Sequence, residues 1–124
     1  MSNKIKILLA DDEEDIKTTL RLFLEAKGYS VDTAYDGLDA LDRVKTDKPA
    51  LILLDIMMPL VDGIEVLKKI RSDPETSDIK IIMLTAASTK EMIQRAEEAG
   101  SDDYIVKPFD YSTLESKIKK VLGI

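Results

Sequence analysis

Short apolar runs alternate with segments of helical periodicity along the chain, and this alternation constrains the fold more than any other feature. Three of the runs are almost continuously apolar, as expected for strands that are covered on both faces of a sheet. Two others are shorter or more polar, which is typical of edge strands. The five predicted strands cover residues 5–10, 30–34, 50–54, 79–84 and 104–106.

Between these runs, apolar residues recur every three or four positions, as they do on the buried face of a helix. Gly28, Pro49 and Gly100 mark where the first, second and fourth helices end. The predicted apolar positions are Ile16, Leu20, Phe23 and Leu24 in the first helix; Leu38, Leu41 and Val44; Ile64, Leu67 and Ile70; Met92, Ile93, Ala96 and Ala99; and Leu114, Ile118, Val121 and Leu122 in the later four.

Five strands in strict alternation with five helices predict an α/β fold, in which a doubly wound parallel sheet carries helices on both faces. Because crossovers between parallel strands are right-handed, few strand orders are possible. Placing the most apolar strands in the centre gives the order 2-1-3-4-5, with a switch point between strands one and three. We expect residues 1–124 to form a single domain, with no output domain in this chain.

Several functions are excluded by residue types that the chain lacks. The sequence has no histidine and no cysteine, which excludes a Ser-His triad, thiolate chemistry, the usual zinc sites and a phosphohistidine of its own. A formal net charge of −6 argues against direct nucleic-acid binding, which requires clustered Lys and Arg. No apolar run approaches the roughly 20 residues of a membrane span, and no signal peptide is visible, so we expect a cytoplasmic protein.

Polar residues follow the predicted strands at the carboxyl edge of the sheet, where open parallel sheets bind their ligands. Asp11 and Asp12 follow strand one, Asp55 follows strand three, Thr85 follows strand four and Lys107 follows strand five. Three carboxylates packed together repel each other unless a cation intervenes, and Mg²⁺ prefers such oxygen ligands. An aspartate placed in this way can attack phosphorus, while the metal, the lysine and the hydroxyl stabilise the phosphoryl oxygens.

Taken singly, most of these residues have an ordinary structural explanation. Asp11 and Asp12 could be acids at a helix N-terminus, Thr85 could be a cap or turn residue, and Lys107 could be a solvated lysine. Asp55 is different because it follows four apolar residues, where a carboxylate is unfavourable unless it is paired or ligated. The hypothesis of a phosphoryl-transfer site therefore depends on the combination.

In combination and order, the motifs of this chain resemble those of the response-regulator receiver family of two-component signalling systems. The resemblance runs from strand one to helix five and implies the flavodoxin-like fold of that family. The motifs are Asp11-Asp12, Leu53-Leu54-Asp55-Ile56-Met57-Met58-Pro59, Asp62-Gly63, Thr85-Ala86 and Tyr104-Ile105-Val106-Lys107-Pro108-Phe109.

The resemblance also implies a role for each matching residue. Asp55 would accept a phosphoryl group from a partner histidine kinase, a phosphotransfer protein or a small acyl phosphate. Asp12 would bind Mg²⁺ directly, Asp11 mainly through water, and the backbone carbonyl of Met57 would complete the protein ligands beside Asp55. Such a protein catalyses its own phosphorylation and slow dephosphorylation, and it is not a turnover enzyme.

Switching is likewise implied by the resemblance. Thr85 and Lys107 would hold the phosphoryl oxygens, and Tyr104 would turn inward as Thr85 moves toward the phosphate. The surface formed by helix four, strand five and helix five would then control a downstream effector protein. The Lys107-Pro108 bond is expected to be cis.

Three other functions compete with this interpretation. A magnesium-dependent phosphatase with an aspartate nucleophile would need a second aspartate two residues on, where Met57 stands. A dinucleotide or flavin binder would need a glycine-rich or hydroxyl-rich loop after strand one, where four consecutive acids, residues 11–14, would repel phosphate. The third is a receiver-like interaction module that is never phosphorylated, which the presence of the acceptor, the acidic pair and Lys107 argues against.

Overall fold

The computed structural model describes residues 4–58, 61–86 and 90–124, and within these ranges five strands alternate with five helices. The strands are β1 (Lys6–Ala10), β2 (Ser30–Ala34), β3 (Leu51–Asp55), β4 (Lys80–Thr85) and β5 (Asp103–Val106). The helices are α1 (Glu14–Ala26), α2 (Gly37–Asp47), α3 (Gly63–Ser72), α4 (Lys90–Ala99) and α5 (Tyr111–Leu122).

The strands form one parallel sheet in the order β2-β1-β3-β4-β5, which confirms the predicted topology. All five residues of β3 are buried, and so is every residue of β4 after Lys80. The most apolar strands lie in the centre of the sheet, because helices cover both of its faces there.

Strands β3 and β4 each end one residue later than predicted, and both added residues are polar. Asp55 is the last residue of β3, where it pairs with Leu84, and Thr85 is the last residue of β4, where it pairs with Val106. The sequence pattern ended each strand at its last apolar residue, whereas the backbone pairing continues through the polar residue. Both side chains therefore start from a fixed position in the sheet.

The helices divide into two layers, one on each face of the sheet. Helices α2, α3 and α4 pack against one face, around a cluster that includes Ile52, Leu54 and Leu67. Helices α1 and α5 pack against the other face, around Leu9 and Leu53. Among the described residues, no helix is long and apolar enough to span a lipid bilayer.

The predicted buried faces are correct for α3 and α4 and only partly correct for α2. Leu38 is 54% exposed because the buried positions of α2 include Gly37, Ala40 and Val44, and this spacing turns Leu38 away from the sheet. In α4 only Ala96 is buried. That helix therefore lies more loosely on the core than its apolar pattern suggested.

Gly63 allows α3 to begin directly against the end of β3. Its N–H donates to the Ile56 carbonyl oxygen over 2.8 Å, while the Asp62 side chain caps the helix by accepting from the N–H of Glu65. A Cβ atom at position 63 would lie 2.1 Å from the Asp55 carbonyl oxygen. Backbone contact at this distance has no room for any side chain, so the position of α3 depends on this glycine.

We predict that Gly63→Ala destabilises the fold by about 2–3 kcal/mol, because α3 must move away from β3 to relieve the clash. Urea unfolding followed by far-UV circular dichroism measures the change. Lys68→Ala, at an exposed position of the same helix, should change the free energy of unfolding by less than about 0.5 kcal/mol. Equal stability of the two variants would contradict the prediction.

Candidate functional site

The carboxyl edge of the sheet brings the predicted site residues together. Asp11 directly follows β1 and is fully buried, and Asp55 at the end of β3 is only 4% exposed. Thr85 at the end of β4 is also fully buried, whereas Asp12 is exposed. The parallel strand order thus juxtaposes residues that follow different strands and lie far apart in the chain.

Lys107 forms the centre of the cluster. Its Nζ atom lies 2.7 Å from Oδ2 of Asp11 and 3.1 Å from Oδ2 of Asp55. The Lys107 side chain is only 10% exposed, so its interpretation as a solvated lysine is wrong. One ammonium group therefore bridges the two buried carboxylates.

Backbone amides fix the orientation of both carboxylates. Oδ1 of Asp11 accepts a hydrogen bond from the N–H of Glu13 over 2.9 Å. Oδ1 of Asp55 accepts from the N–H of Met57 over 3.1 Å. Each aspartate thus uses one oxygen for the loop that follows its strand and the other for Lys107.

Burial and charge shift the pKa values of this cluster. Desolvation, followed by the negative charge of Asp11, raises the pKa of Asp55 to about 6, although Lys107 and the Met57 amide act in the opposite direction. Burial alone would lower the pKa of Lys107, but its hydrogen bond to Asp11 and the charges of Asp55 and Asp11 raise it. Lys107 is therefore protonated at neutral pH but does not fully compensate the carboxylates around it.

The donor set suits a small, hard divalent cation. One carboxylate oxygen from each of Asp11, Asp12 and Asp55 lies within 4.8 Å of the others. Mg²⁺ usually takes one or two carboxylates and keeps several waters, and the exposure of Asp12 leaves the outer side of this group open to water. Met57, the fourth predicted ligand, follows at the same edge with its side chain 60% exposed.

The remaining predicted residues connect this cluster to β5. The N–H of Lys107 donates to the Thr85 carbonyl oxygen over 2.7 Å, and the Lys107-Pro108 bond is cis, as expected. Tyr104 is half-buried and packs at the margin of the core cluster between the sheet and α2, α3 and α4. Pro59 of the acceptor motif lies outside the described residues.

Glu13 also belongs to the cluster, although the sequence pattern did not single it out. Its Oε1 atom lies 3.6 Å from Nζ of Lys107, and its backbone N–H orients Asp11. Its side chain is 59% exposed, so it adds negative charge at the mouth of the site. Its position directly after the acidic pair was the available signal.

We predict that Asp55→Asn stabilises the metal-free protein, and more so at pH 7.5 than at pH 5. A carboxyl group whose pKa is raised in the folded state makes the protein less stable as pH rises. The loss develops between the pKa of the group in the unfolded chain, near 4, and its pKa in the folded protein, near 6. The stability gain of the variant over wild type should therefore grow by about 1–2 kcal/mol between the two pH values.

Urea unfolding in the presence of a chelator measures this gain. The control is Asp42→Asn, which removes an exposed carboxylate of α2, and it is measured at the same two pH values. A gain for Asp55→Asn that is independent of pH would contradict the electrostatic account of the site.

Comparisons with known proteins agree with this geometry. Residues 7–119 match the family described as response regulator receiver domain. The chain is 38% identical to the response regulator MprA of Mycobacterium bovis over 95% of its own length and 50% of the relative's. It is 44% identical to the alkaline phosphatase synthesis transcriptional regulatory protein PhoP of Bacillus subtilis, over 94% and 48% of the respective lengths. The chain thus spans about half the length of these curated relatives.

A solved structure shows the same architecture at full length. The chemotaxis protein CheY4 of Vibrio cholerae superimposes with a TM-score of 0.90 at 31% identity, covering 95% of this chain and 98% of CheY4. Both the fold and the sequence motifs therefore agree with the family match. The chain belongs to the response regulator receiver domain family, whose members are signalling proteins rather than turnover enzymes.

Proposed function

We propose that the chain is a phosphorylation-dependent switch in which Asp55 accepts a phosphoryl group with the help of Mg²⁺. The observation that carries this proposal is the buried Lys107 ammonium, which bridges Asp55 and Asp11. A third carboxylate, that of Asp12, lies close enough to bind one metal ion together with them. A structural ion pair would need only one carboxylate per lysine. The surplus of carboxylates is what a cation-assisted acceptor site requires.

Phosphoryl transfer requires an oxygen of Asp55 to form a bond to phosphorus while the bond from phosphorus to the donor's nitrogen or oxygen breaks. Both oxygens of Asp55 have fixed partners, the Met57 amide and Lys107, so the carboxylate is already oriented when a donor arrives. Lys107 can then shift its hydrogen bonds to the incoming phosphoryl oxygens. Bound at Asp11, Asp12 and Asp55, together with the Met57 carbonyl, Mg²⁺ would neutralise charge on those oxygens.

The response to phosphorylation is proposed to run through Thr85 and Tyr104. Thr85 is buried at the end of β4, and its backbone carbonyl oxygen accepts from the backbone N–H of Lys107. We expect its hydroxyl to move toward the bound phosphoryl group. Tyr104 would turn inward into the space that Thr85 leaves. Because Ala96 is the one buried residue of α4, we expect this helix to shift with little loss of packing and to alter the α4–β5–α5 surface.

The proposed partners are a phosphoryl donor and a downstream effector, and the nature of the donor is inferred from the lack of histidine. With no histidine in the sequence, the donor is a histidine kinase, a phosphotransfer protein or a small acyl phosphate. The target is an effector protein that contacts the α4–β5–α5 surface. The net charge of −6 disfavours direct contact with nucleic acid, and a cytoplasmic location suits these partners. That residues 1–124 fold as one domain remains a prediction.

We predict that brief incubation with Mg²⁺ and acetyl phosphate increases the intact mass of the protein by one phosphoryl group. Asp55→Asn and a chelator should each abolish the increase, because the first removes the nucleophile and the second the cation. Asp42→Asn, which changes an exposed residue of α2, should be phosphorylated to the same extent as wild type. An unmodified, folded wild-type protein would instead favour a receiver-like interaction module that is never phosphorylated.

A further inference from the structure

Lys117 of α5 contacts two residues of the edge strand β5. Its Nζ atom lies 3.1 Å from Oδ1 of Asp103 and 5.5 Å from the centroid of the Tyr104 ring. Its side chain is 30% exposed, so the charge is partly shielded from water. Both distances are typical of real interactions, a salt bridge in the first case and a cation–π contact in the second.

The contact joins the two layers of the molecule across the edge of the sheet. Tyr104 packs with the core cluster on the α2–α3–α4 side, whereas α5 packs with the cluster on the opposite side. Asp103 helps to fix the arrangement, since its Oδ1 also accepts from the N–H of Tyr104 over 2.8 Å. Lys117 of α5 therefore contacts the ring of a residue that packs with the opposite layer.

The other lysines at the end of α5 lack these contacts. Lys119 and Lys120 are exposed, and neither forms an ion pair or a ring contact within the described ranges 4–58, 61–86 and 90–124. Of these three lysines, Lys117 is the one that contacts the edge of the sheet. Lys119 and Lys120 thus serve as controls with the same charge on the same helix.

We propose that Lys117 is a positioning residue that holds the Tyr104 ring at its half-buried position and so opposes the switch. This inference rests on the proposed function, in which Tyr104 turns inward on phosphorylation. Inward movement would break the contact between the ring and the ammonium group. A cation over a partly exposed aromatic ring shifts an equilibrium by about two- to fivefold, and coupling is reciprocal, so removing the cation strengthens binding of a phosphoryl group at Asp55 by the same factor.

Titration with beryllofluoride and Mg²⁺, which together mimic a bound phosphoryl group without hydrolysis, tests the proposal. The Tyr104 ring resonances, followed by NMR, report both saturation and the position of the ring. For Lys117→Met, half-saturation should occur at a two- to fivefold lower beryllofluoride concentration than in wild type. The ring resonances of the unliganded variant should also lie closer to the saturated position.

Lys119→Met is the matched control and should titrate as wild type does, whereas Lys117→Arg keeps a cation over the ring and should move half-saturation back toward the wild-type value. If Lys117→Met and Lys119→Met give the same half-saturation, the positioning role is overturned while the proposed function stands. If wild type does not respond to beryllofluoride at all, the proposed function fails, and the role of Lys117 fails with it.

Discussion

The bridge from the Lys107 ammonium to Asp11 and Asp55 is the interaction on which the rest of the site depends. Two buried carboxylates at the ends of neighbouring strands would repel each other strongly without it. Because one ammonium balances only one carboxylate, the cluster keeps negative charge, which shows in the raised pKa of Asp55. The cluster can therefore form in the folded protein and still carries the negative charge that attracts a divalent cation.

The parallel sheet makes this bridge possible. Residues 11, 55 and 107 are far apart in sequence, yet the order β2-β1-β3-β4-β5 brings the strands that precede them to one edge. Gly63 fixes α3 against the end of β3, and the amides of Glu13 and Met57 orient the carboxylates. Local backbone geometry and sheet topology thus act together to place a few polar atoms within hydrogen-bonding distance.

Features that depend on the periodicity of apolar residues could be predicted from the sequence, whereas features that depend on tertiary contacts could not. Strand order and the convergence on Lys107 followed from apolar runs and from the residues after them. The exposure of Leu38 did not, because an apolar pattern does not say which of its positions face the sheet. The loose packing of α4 did not either, because the pattern does not say how closely a helix approaches the sheet. The contact of Lys117 with Tyr104 also left no local signal, since it joins a helix to a strand through their relative placement.

The most direct test of the account is Mg²⁺ binding, measured as stabilisation against urea relative to chelator. Mg²⁺ at a hundredfold excess over its dissociation constant should stabilise wild type by about 3 kcal/mol. Asp12→Asn should lose most of this gain, and Asp15→Asn, which removes an exposed acid from the same helix start, should keep it. Equal stabilisation of both variants, or none in wild type, would contradict the claim that the carboxylate surplus forms a cation site.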